Sequence, residues 1–235
     1  MTRGFFITGT DTDVGKTVVA LKLISAFQQK GHTVAAMKPV SAGCEKTGHG
    51  LRNHGLRTHD LHNNDAVQLM QQASIELPYD TVNPYAFEPA IAPHIAATET
   101  NVEMNIDTLV QAYQKIARQA DIVIVEGAGG WLVPFNATQT MADVASALKL
   151  DIILVVGLKL GCISHTLLTA QSIMQQNQHL AGWVSNHIQP NTLRIEKIEA
   201  TLRNRLPAPQ LGSIRFGEHT TSDEQTPSLT VDALG

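Results

Sequence analysis

A glycine-rich loop that ends in a lysine and a threonine is the part of the sequence whose chemistry is easiest to name. Gly9 to Thr17 reads GTDTDVGKT and lies between the apolar run Gly4 to Thr8 and a helix-like stretch. A strand, such a loop and a helix form the setting of a P-loop, whose backbone N–H groups cradle phosphate. In that motif Lys16 reaches the β- and γ-phosphates and the Thr17 hydroxyl binds Mg²⁺. In the usual P-loop pattern the first glycine occupies the position of Thr10, whereas in this chain the glycine, Gly9, stands one residue earlier. The sequence therefore predicts a nucleoside triphosphate site.

Two further charged residues follow strand-like runs. Glu126 comes directly after the β-branched run Ile122 to Val125, and Lys38 comes directly after Val34 to Met37. The carboxyl ends of parallel strands meet at the edge where open α/β sheets bind ligands. Glu126 can offer the oxygen that Mg²⁺ prefers, and Lys38 can place a cation beside a transferring phosphoryl group. Lysines are mostly exposed, so the residues alone leave open whether Lys38 faces this crevice.

The elements that must position these residues alternate between strands and helices. Strand-like runs are Gly4–Thr8, Val34–Met37, Ile122–Val125, Ile152–Val156 and Leu180–Val184, and helix-like stretches are Thr17–Gln29, Glu103–Arg118, Met141–Leu148, Ser164–Gln176 and Thr192–Arg205. Continuous β-branched runs are typical of strands that are covered on both faces. The order predicts an α/β fold with a single doubly wound, mainly parallel sheet flanked by helices, as in P-loop NTPases. No linker divides the chain, so residues 1–235 are predicted to form one domain.

Composition and charge argue against several classes of protein. Of 235 residues, 43% are apolar and 16% are charged, which is typical of a chain with a large core. The net charge of -4 lacks the basic excess of nucleic-acid-binding proteins. The longest apolar run, Ile152 to Leu158, is far shorter than the ~20 residues that cross a bilayer, and the N-terminus shows no signal peptide. With Cys44 and Cys162 as its only cysteines, the sequence predicts a cytoplasmic protein without nucleic-acid or membrane partners.

One internal segment has the pattern of an insertion. Residues 49–63 read HGLRNHGLRTHDLHN, in which pentamers begin at His49, His54 and His59. On a helix such repeats rotate by about 140°, and on a strand they alternate faces, so we predict a surface loop. Histidine-rich tracts sometimes bind metal, which leaves that alternative open. The Ser-, Thr- and acid-rich stretch 218–235 is predicted to be a loosely held tail.

A set of motifs spread along the chain resembles one enzyme family. They are Gly9 to Thr17, Lys38-Pro39-Val40, Asn64-Asp65-Ala66, Thr81 to Tyr85, Ala92-Pro93-His94, Val125 to Trp131 and Gly182 to Asn186. With these motifs, in the same order from Phe5 to about Phe216, the chain resembles dethiobiotin synthetase. The resemblance implies a homodimeric ligase of biotin biosynthesis that depends on Mg²⁺ and ATP. It adds CO₂ to 7,8-diaminononanoate (diaminopelargonate) and closes the ureido ring through a carbamate and a carbamic-phosphoric anhydride, giving dethiobiotin, ADP and phosphate.

The same resemblance implies a role for each matching residue. Lys16 and Lys38 match the catalytic cations, and the metal ligands are Thr17, Asp65 and Glu126. The nucleotide-binding positions are Asp13, Val14, Gly15, Lys16, Thr17, Asp65, Glu126, Gly127, Ala128, Gly129, Asn186, His187, Arg215, Phe216 and Gly217. The substrate-binding positions, at the dimer interface, are Thr12, Ser41, Ala42, Gly161, Cys162 and Ser164.

Some of these roles have alternatives in the sequence. Asn186 matches the adenine-recognising position, where an amide can donate and accept at once, but it also fits a turn after a strand. Asp65 equally fits the N-cap of a helix that begins at Ala66. The family often has a hydroxyl four residues after the lysine, where this chain has Ala42 with Ser41 one position earlier. Either Ser41 takes over the substrate contact or that contact is lost.

Two loops depart from the usual residues of the family. Arg215 stands where the family tends to carry proline in the adenine-side loop, which leaves the nucleotide preference open. Ser164 replaces the usual asparagine in the dimer-crossing loop Gly161 to His165, which meets the substrate carboxylate. Free N–H groups at the start of the following helix suit a carboxylate.

Two other functions fit the same scaffold. One is a different P-loop ligase, such as an amide-forming synthetase acting on a corrin acid, although such enzymes are typically longer and carry a glutamine-hydrolysing domain. The other is a non-metabolic ATPase switch that dimerises on ATP to organise DNA or membranes. Such switches commonly carry an extra lysine early in the P-loop, where this chain has Asp11, and no basic amphipathic terminal helix is visible.

Overall fold

The computed structural model describes residues 2–46, 61–217 and 229–234. Its strands are β1 (Arg3–Gly9), β2 (Val34–Met37), β3 (Val40–Ser41), β4 (Glu45–Lys46), β5 (Leu61–His62), β6 (Tyr85–Ala86), β7 (Ile122–Gly130), β8 (Asp151–Gly157), β9 (Leu180–Asn186) and β10 (Gln210–Ile214). Its α-helices are α1 (Lys16–Gln29), α2 (Asn64–Gln72), α3 (Tyr79–Val82), α4 (Pro93–Glu99), α5 (Ile106–Ala117), α6 (Met141–Leu148), α7 (Cys162–Gln175) and α8 (Ile195–Arg205).

The largest sheet is parallel throughout and has the order β10-β9-β8-β1-β7-β2. The chain starts in the middle with β1, builds β2 and β7 on one side, and then crosses β1 to add β8, β9 and β10 on the other. Such a reversal leaves a crevice at the carboxyl ends of the central strands, where ligands bind. The predicted doubly wound, parallel α/β sheet is confirmed.

Helices cover both faces of this sheet, which explains why its central strands read as continuous apolar runs. On one face, α1 and α2 pack over Phe5, Ile7 and Ile124, and Phe5 stacks on Phe27 of α1 with ring centroids 5.5 Å apart. On the other face, α5 to α8 cover side chains such as Phe6. Each fully buried side chain of this size contributes about 1.5–3 kcal/mol. The two layers therefore fix the strand ends from which the loops of the crevice start.

The sequence pattern did not predict β10 of the largest sheet or the two-residue strands β3 to β6, and it placed the end of β7 too early. β10 was not recognised because Gln210–Ile214 reads QLGSI, which has no continuous β-branched run. β7 continues past Val125 to Gly130, so Glu126 lies within the strand, opposite Ile7, and not after its end. The predicted helices are present with ends shifted by a few residues. No helix in the described part of the chain combines the length and apolarity that a bilayer crossing requires.

The prediction of a loose tail over 218–235 is wrong for its last described residues. The Thr230 N–H donates to the Leu211 carbonyl of β10 at 2.8 Å. Apolar side chains from this stretch close the core beside β10 and are each 3% exposed, namely Leu229, Val231 and Leu234. Residues 218–228 and 235, together with residues 49–60 of the pentamer segment, lie outside the described residues.

Candidate active site

The phosphate loop connects β1 to α1, and steric crowding requires glycine at both of its ends, Gly9 and Gly15. A Cβ on Gly9 would lie 2.6 Å from Val14 Cγ2, so the early glycine makes room for Val14 to fold back into the loop. Gly15 has φ of +85°, and a Cβ there would collide with Asn186 Nδ2. No described side chain caps the first turn of α1. Its N–H groups are therefore available to a phosphate.

Lys16 opens α1 and points back over the loop. Its side chain is almost buried, and its ammonium donates to the Asp11 carbonyl at 3.1 Å. Burial, with a smaller contribution from the Lys38 charge, lowers the pKa of Lys16 to about 8. A bound phosphate would supply the negative charge that restores the ordinary pKa.

Residues from α1, α2 and β7 meet Lys38, which directly follows β2, at the carboxyl edge of the sheet. Thr17 Oγ1 donates to Glu126 Oε1 at 2.9 Å. Lys38 Nζ donates to the same oxygen at 2.5 Å and to Asp65 Oδ2 at 3.2 Å. The structure thus brings the predicted lysine and the predicted metal-binding oxygens into one cluster, and Lys38 does not extend into solvent.

The Lys38–Glu126 pair is buried, with 5% and 1% of the two residues exposed. Burial alone would lower the pKa of Lys38, but the carboxylates of Glu126 and Asp65 outweigh it and raise that pKa above its ordinary value. Removing one partner of a buried pair costs about 3–5 kcal/mol, because the other charge remains buried and uncompensated. A fixed cation is therefore part of this site.

The second carboxylate oxygen of Glu126, Oε2, is available to a ligand. Oε2 is buried and has no hydrogen-bond partner in the described part of the chain, although most buried polar side-chain atoms have a partner. With the Thr17 hydroxyl and the Asp65 carboxylate it offers hard oxygen donors, which Mg²⁺ prefers while keeping several waters. The residues therefore fit Mg²⁺. Over the described ranges, no group of three or more His, Cys, Asp and Glu side chains forms a separate metal site.

Asp65 is not the cap of α2, so that alternative is wrong. The cap is Asn63, whose Oδ1 accepts from the Ala66 N–H at 3.2 Å. Asp65 lies in the first turn, which leaves its carboxylate to bind Lys38. Asn63, Asn64 and Asp65 are all good caps, so the sequence could not tell them apart.

The residues after Lys38 are engaged inside the protein. The Ser41 hydroxyl is buried, donates to Asn83 Oδ1 at 2.7 Å and lies 3.2 Å from Cys44 Sγ. The Ala42 carbonyl accepts from Asn63 Nδ2 at 3.4 Å. The structure therefore does not offer the Ser41 hydroxyl to a substrate, in contrast to one of the two alternatives.

The glycine-rich end of β7 lies beside the phosphate loop. Gly9 of β1 pairs with Gly130, and a Cβ on Gly129 would lie 3.7 Å from Thr12 Oγ1. Thr12 is exposed, as is Asp13, which has φ of +55° at the tip of the loop. The predicted substrate residue Thr12 and the predicted nucleotide segment Gly127, Ala128 and Gly129 thus share one rim.

The start of α7 provides part of the predicted substrate loop. Gly161 precedes the helix with φ of +92°, and Ser164 is exposed in the first turn. Cys162 is 2% exposed, so its thiol packs in the core as a small apolar group. Gly161 and Ser164 are therefore accessible, whereas the Cys162 side chain is not.

An ion pair that the sequence did not reveal joins this loop to the phosphate loop. Lys159 Nζ lies 2.7 Å from Asp11 Oδ2. The hydrogen bond from Lys159 is the main cause that lowers the pKa of Asp11. The partners are 148 positions apart, so no local pattern in the sequence indicates the contact. From the sequence alone, Lys159 resembles an ordinary solvated lysine of a loop.

The predicted base-binding residues lie at the ends of β9 and β10. Asn186 is buried, its Nδ2 donates to the Val14 carbonyl at 2.9 Å, and its Oδ1 is buried without a partner among the described groups. His187 Nε2 lies 3.0 Å from Ser213 Oγ. Arg215, Phe216 and Gly217 follow β10 and are exposed. These residues share the edge of the sheet, but the amide of Asn186 binds the main chain of the phosphate loop.

Comparison with known proteins agrees with this geometry. Residues 3–223 match the family described as an AAA domain. The chain is 46% identical over 232 residues to the ATP-dependent dethiobiotin synthetase BioD of Pseudomonas aeruginosa, covering 98% of this chain and 97% of that protein. It is 44% identical over 232 residues to the protein of the same name from Cellvibrio japonicus, covering 99% and 97%.

A solved structure of another protein has a similar fold. The crystal structure of a ParA family ATPase from Chlorobium tepidum has a TM-score of 0.54 and 13% identity, covering 92% of this chain and 85% of that one. At this identity the likeness concerns the fold alone, and the predicted P-loop NTPase-like architecture is confirmed. The resemblance inferred from the motifs is confirmed by the near full-length relatives. The chain therefore belongs to the dethiobiotin synthetase family.

Proposed function

We propose that this chain catalyses the ATP- and Mg²⁺-dependent carboxylation and ring closure of 7,8-diaminononanoate with CO₂, giving dethiobiotin, ADP and phosphate in biotin biosynthesis. The observation that carries the proposal is the buried Lys38 ammonium, held by Glu126 and Asp65 beside Thr17. It supplies a fixed cation at the phosphate end of the crevice, where two anions have to meet.

The proposed reaction begins when one amine of the diamine adds to CO₂ and loses a proton, which gives a carbamate. A carbamate oxygen attacks the γ-phosphorus of ATP and ADP leaves, which gives a carbamic-phosphoric anhydride. The second amine then attacks the carbonyl carbon, loses its proton and expels phosphate, which closes the ring. No covalent bond to the protein is required.

The task of the protein in this sequence is to hold two anions together. Phosphoryl transfer depends mainly on positioning and on stabilisation of charge. Lys16, folded back over the phosphate loop, neutralises the β- and γ-phosphates, and Lys38 lies where it can face the carbamate and the transferring group. Both ammonium groups are almost buried, so their interactions with an anion are weakly screened by water.

The metal-binding residues in this proposal are Thr17, Asp65 and the free oxygen of Glu126. A bound Mg²⁺ would add positive charge next to the phosphates and would orient them. Within the chain itself, Glu126 also holds Lys38 and Thr17 in place through Oε1, so the same carboxylate orients the lysine and the hydroxyl.

The base and the diamine occupy the two flanks of the phosphate loop in this proposal. The unpartnered Asn186 Oδ1 is an acceptor that suits the exocyclic amine of adenine, while its Nδ2 stays on Val14. On the other flank, the N–H groups at the start of α7 suit the substrate carboxylate. Leu160, fully exposed, and Leu168, 62% exposed, flank this helix start and support a homodimer that covers the substrate site.

The test is to incubate the purified protein with Mg-ATP, 7,8-diaminononanoate and carbon-labelled bicarbonate. Mass analysis should find the label in a ring-closed product, and phosphate release should need both the diamine and CO₂. An ATPase switch would release phosphate without either of them. Phosphate release that is independent of both would overturn the proposal.

A further inference from the structure

A buried polar network binds the main chain of Lys38. Its centre is the amide of Asn83, which is 3% exposed. Asn83 Nδ2 donates to the Lys38 carbonyl at 2.6 Å, and Asn83 Oδ1 accepts from Ser41 Oγ at 2.7 Å and from Tyr79 Oη at 2.9 Å. One amide therefore binds the main chain of Lys38 and the side chain of Ser41.

The Tyr79 hydroxyl extends this network to α2. Tyr79 Oη accepts from the Asn63 N–H at 2.8 Å while it donates to Asn83. Asn63 in turn caps the helix that carries Asp65. Burial raises the pKa of Tyr79 to about 12, so the hydroxyl keeps its proton and can serve as donor and acceptor at once.

Lys38 and Asp65 come from segments that the network joins. Their side chains meet at 3.2 Å although they are 27 positions apart in the chain. Between them lies the pentamer segment, whose period predicts no regular structure that could set the distance. One route from the main chain of Lys38 to the cap of α2 runs through the side chains of Asn83 and Tyr79. A second contact lies further along, where Asn63 Nδ2 donates to the Ala42 carbonyl at 3.4 Å.

We propose that Tyr79 and Asn83 are positioning residues that hold Lys38 and Asp65 in register for the reaction. The proposal rests on the proposed function, because it assigns roles through Lys38 and Asp65. Neither residue touches a reacting atom in this scheme. Tyr79 acts on Asp65 through the cap of α2, and Asn83 acts on Lys38 through its carbonyl group.

The main test is the variant Tyr79→Phe, which removes the hydroxyl and keeps the ring. We expect kcat/KM to fall by about tenfold, which is the factor that one lost hydrogen bond of ordinary strength represents. The matched control is Tyr113→Phe. Tyr113 is a half-buried tyrosine of α5 beside Gly4, at the opposite end of β1, and its variant should keep wild-type kinetics.

A double-mutant cycle separates positioning from general stability. If Tyr79 acts through Asp65, Tyr79→Phe should have little further effect on kcat/KM in the Asp65→Ala background, because coupled residues are non-additive. A second readout does not depend on turnover. Mn²⁺, used as a probe and titrated by electron paramagnetic resonance in the presence of ADP, should bind about fivefold more weakly to Tyr79→Phe than to the wild type or Tyr113→Phe.

The outcomes are distinct. Unchanged kcat/KM, full additivity with Asp65→Ala, or a lower melting temperature with unchanged Mn²⁺ affinity each overturns the proposal. If Tyr79→Phe does not fold, Asn83→Ser replaces it, because a serine cannot bridge the Lys38 carbonyl and the Tyr79 hydroxyl; the same losses are expected. A wild type that forms no ring-closed product would refute the proposed function instead, and the Mn²⁺ titration would still test the positioning role.

Discussion

The two ends of the crevice, which we propose bind the phosphates and the base of ATP and call the phosphate end and the base end, are stabilised in different ways. At the phosphate end, Thr17 and Lys38 both bind Glu126 through side chains, at 2.9 and 2.5 Å. At the base end, Asn186 binds the main chain of the phosphate loop at 2.9 Å, and residues 215–217 extend from β10. Charge pairing between side chains thus fixes the residues of the phosphate end, whereas the position of Asn186 at the base end depends on a hydrogen bond to the main chain.

Loss of Lys16 should have the largest effect, because it removes charge from the reacting end. We expect Lys16→Ala to lower kcat/KM by about 10³-fold, as for other preorganised groups that stabilise charge in a transition state. The melting temperature should not fall, since burial opposes the Lys16 ammonium. A phosphate-release assay measures kcat/KM, and calorimetry measures the melting temperature. The control is Lys22→Ala on the same helix. Wild-type turnover in Lys16→Ala contradicts the assignment.

Loss of Lys38 should cost both activity and stability. We expect Lys38→Ala to lower kcat by more than tenfold and the free energy of unfolding by about 3–5 kcal/mol, because the Glu126 carboxylate remains buried. The double variant Lys38→Ala/Glu126→Gln should recover much of the stability and none of the activity. Denaturant unfolding and steady-state kinetics distinguish the two effects. Equal activity of the single variant would remove Lys38 from the mechanism.

Asn186→Ala tests the base end directly. We expect the KM for ATP to rise about tenfold, because the variant loses one hydrogen bond to Val14 and one to the base. The preference for ATP over GTP should also weaken, since the acceptor for the exocyclic amine is gone. Kinetics with both nucleotides measure this change. If KM rises by the same factor for ATP and GTP, Asn186 only supports the phosphate loop.

The Asp11–Lys159 pair should have the smallest effect, because its side chains are 47% and 31% exposed. Lys159→Met should lower kcat/KM by about threefold and stability by about 0.5 kcal/mol, which is typical of exposed pairs. The folded pKa of Asp11 lies below its ordinary value of 3.8, so this stability is present above pH 3.8 and is lost as the pH falls further. The difference in stability between the two proteins, measured from unfolding curves, should therefore be smaller at pH 3 than at pH 7. A difference at pH 3 as large as that at pH 7 argues against the pair.

The same contrast explains how much the sequence revealed. The residues of the phosphate end stand next to recognisable strands and a helix start, so Lys16, Thr17 and Glu126 could be placed from local pattern alone. The contacts of Asn186 and Lys159 depend on partners 172 and 148 positions away in the chain, and no spacing encodes them. β10 was not predicted because it is an outer strand of the sheet, and such a strand needs fewer apolar residues than a central one, so its sequence lacks a continuous apolar run.

The segment 229–234 has a consequence for handling the protein. It lies against β10, which is an outer strand of the sheet, and it is anchored by the Thr230–Leu211 hydrogen bond and by a pair between Asp232 and Lys30. Open outer strands invite intermolecular pairing and aggregation. Removal of these residues would uncover the outer edge of β10, so we expect the shortened protein to aggregate more readily.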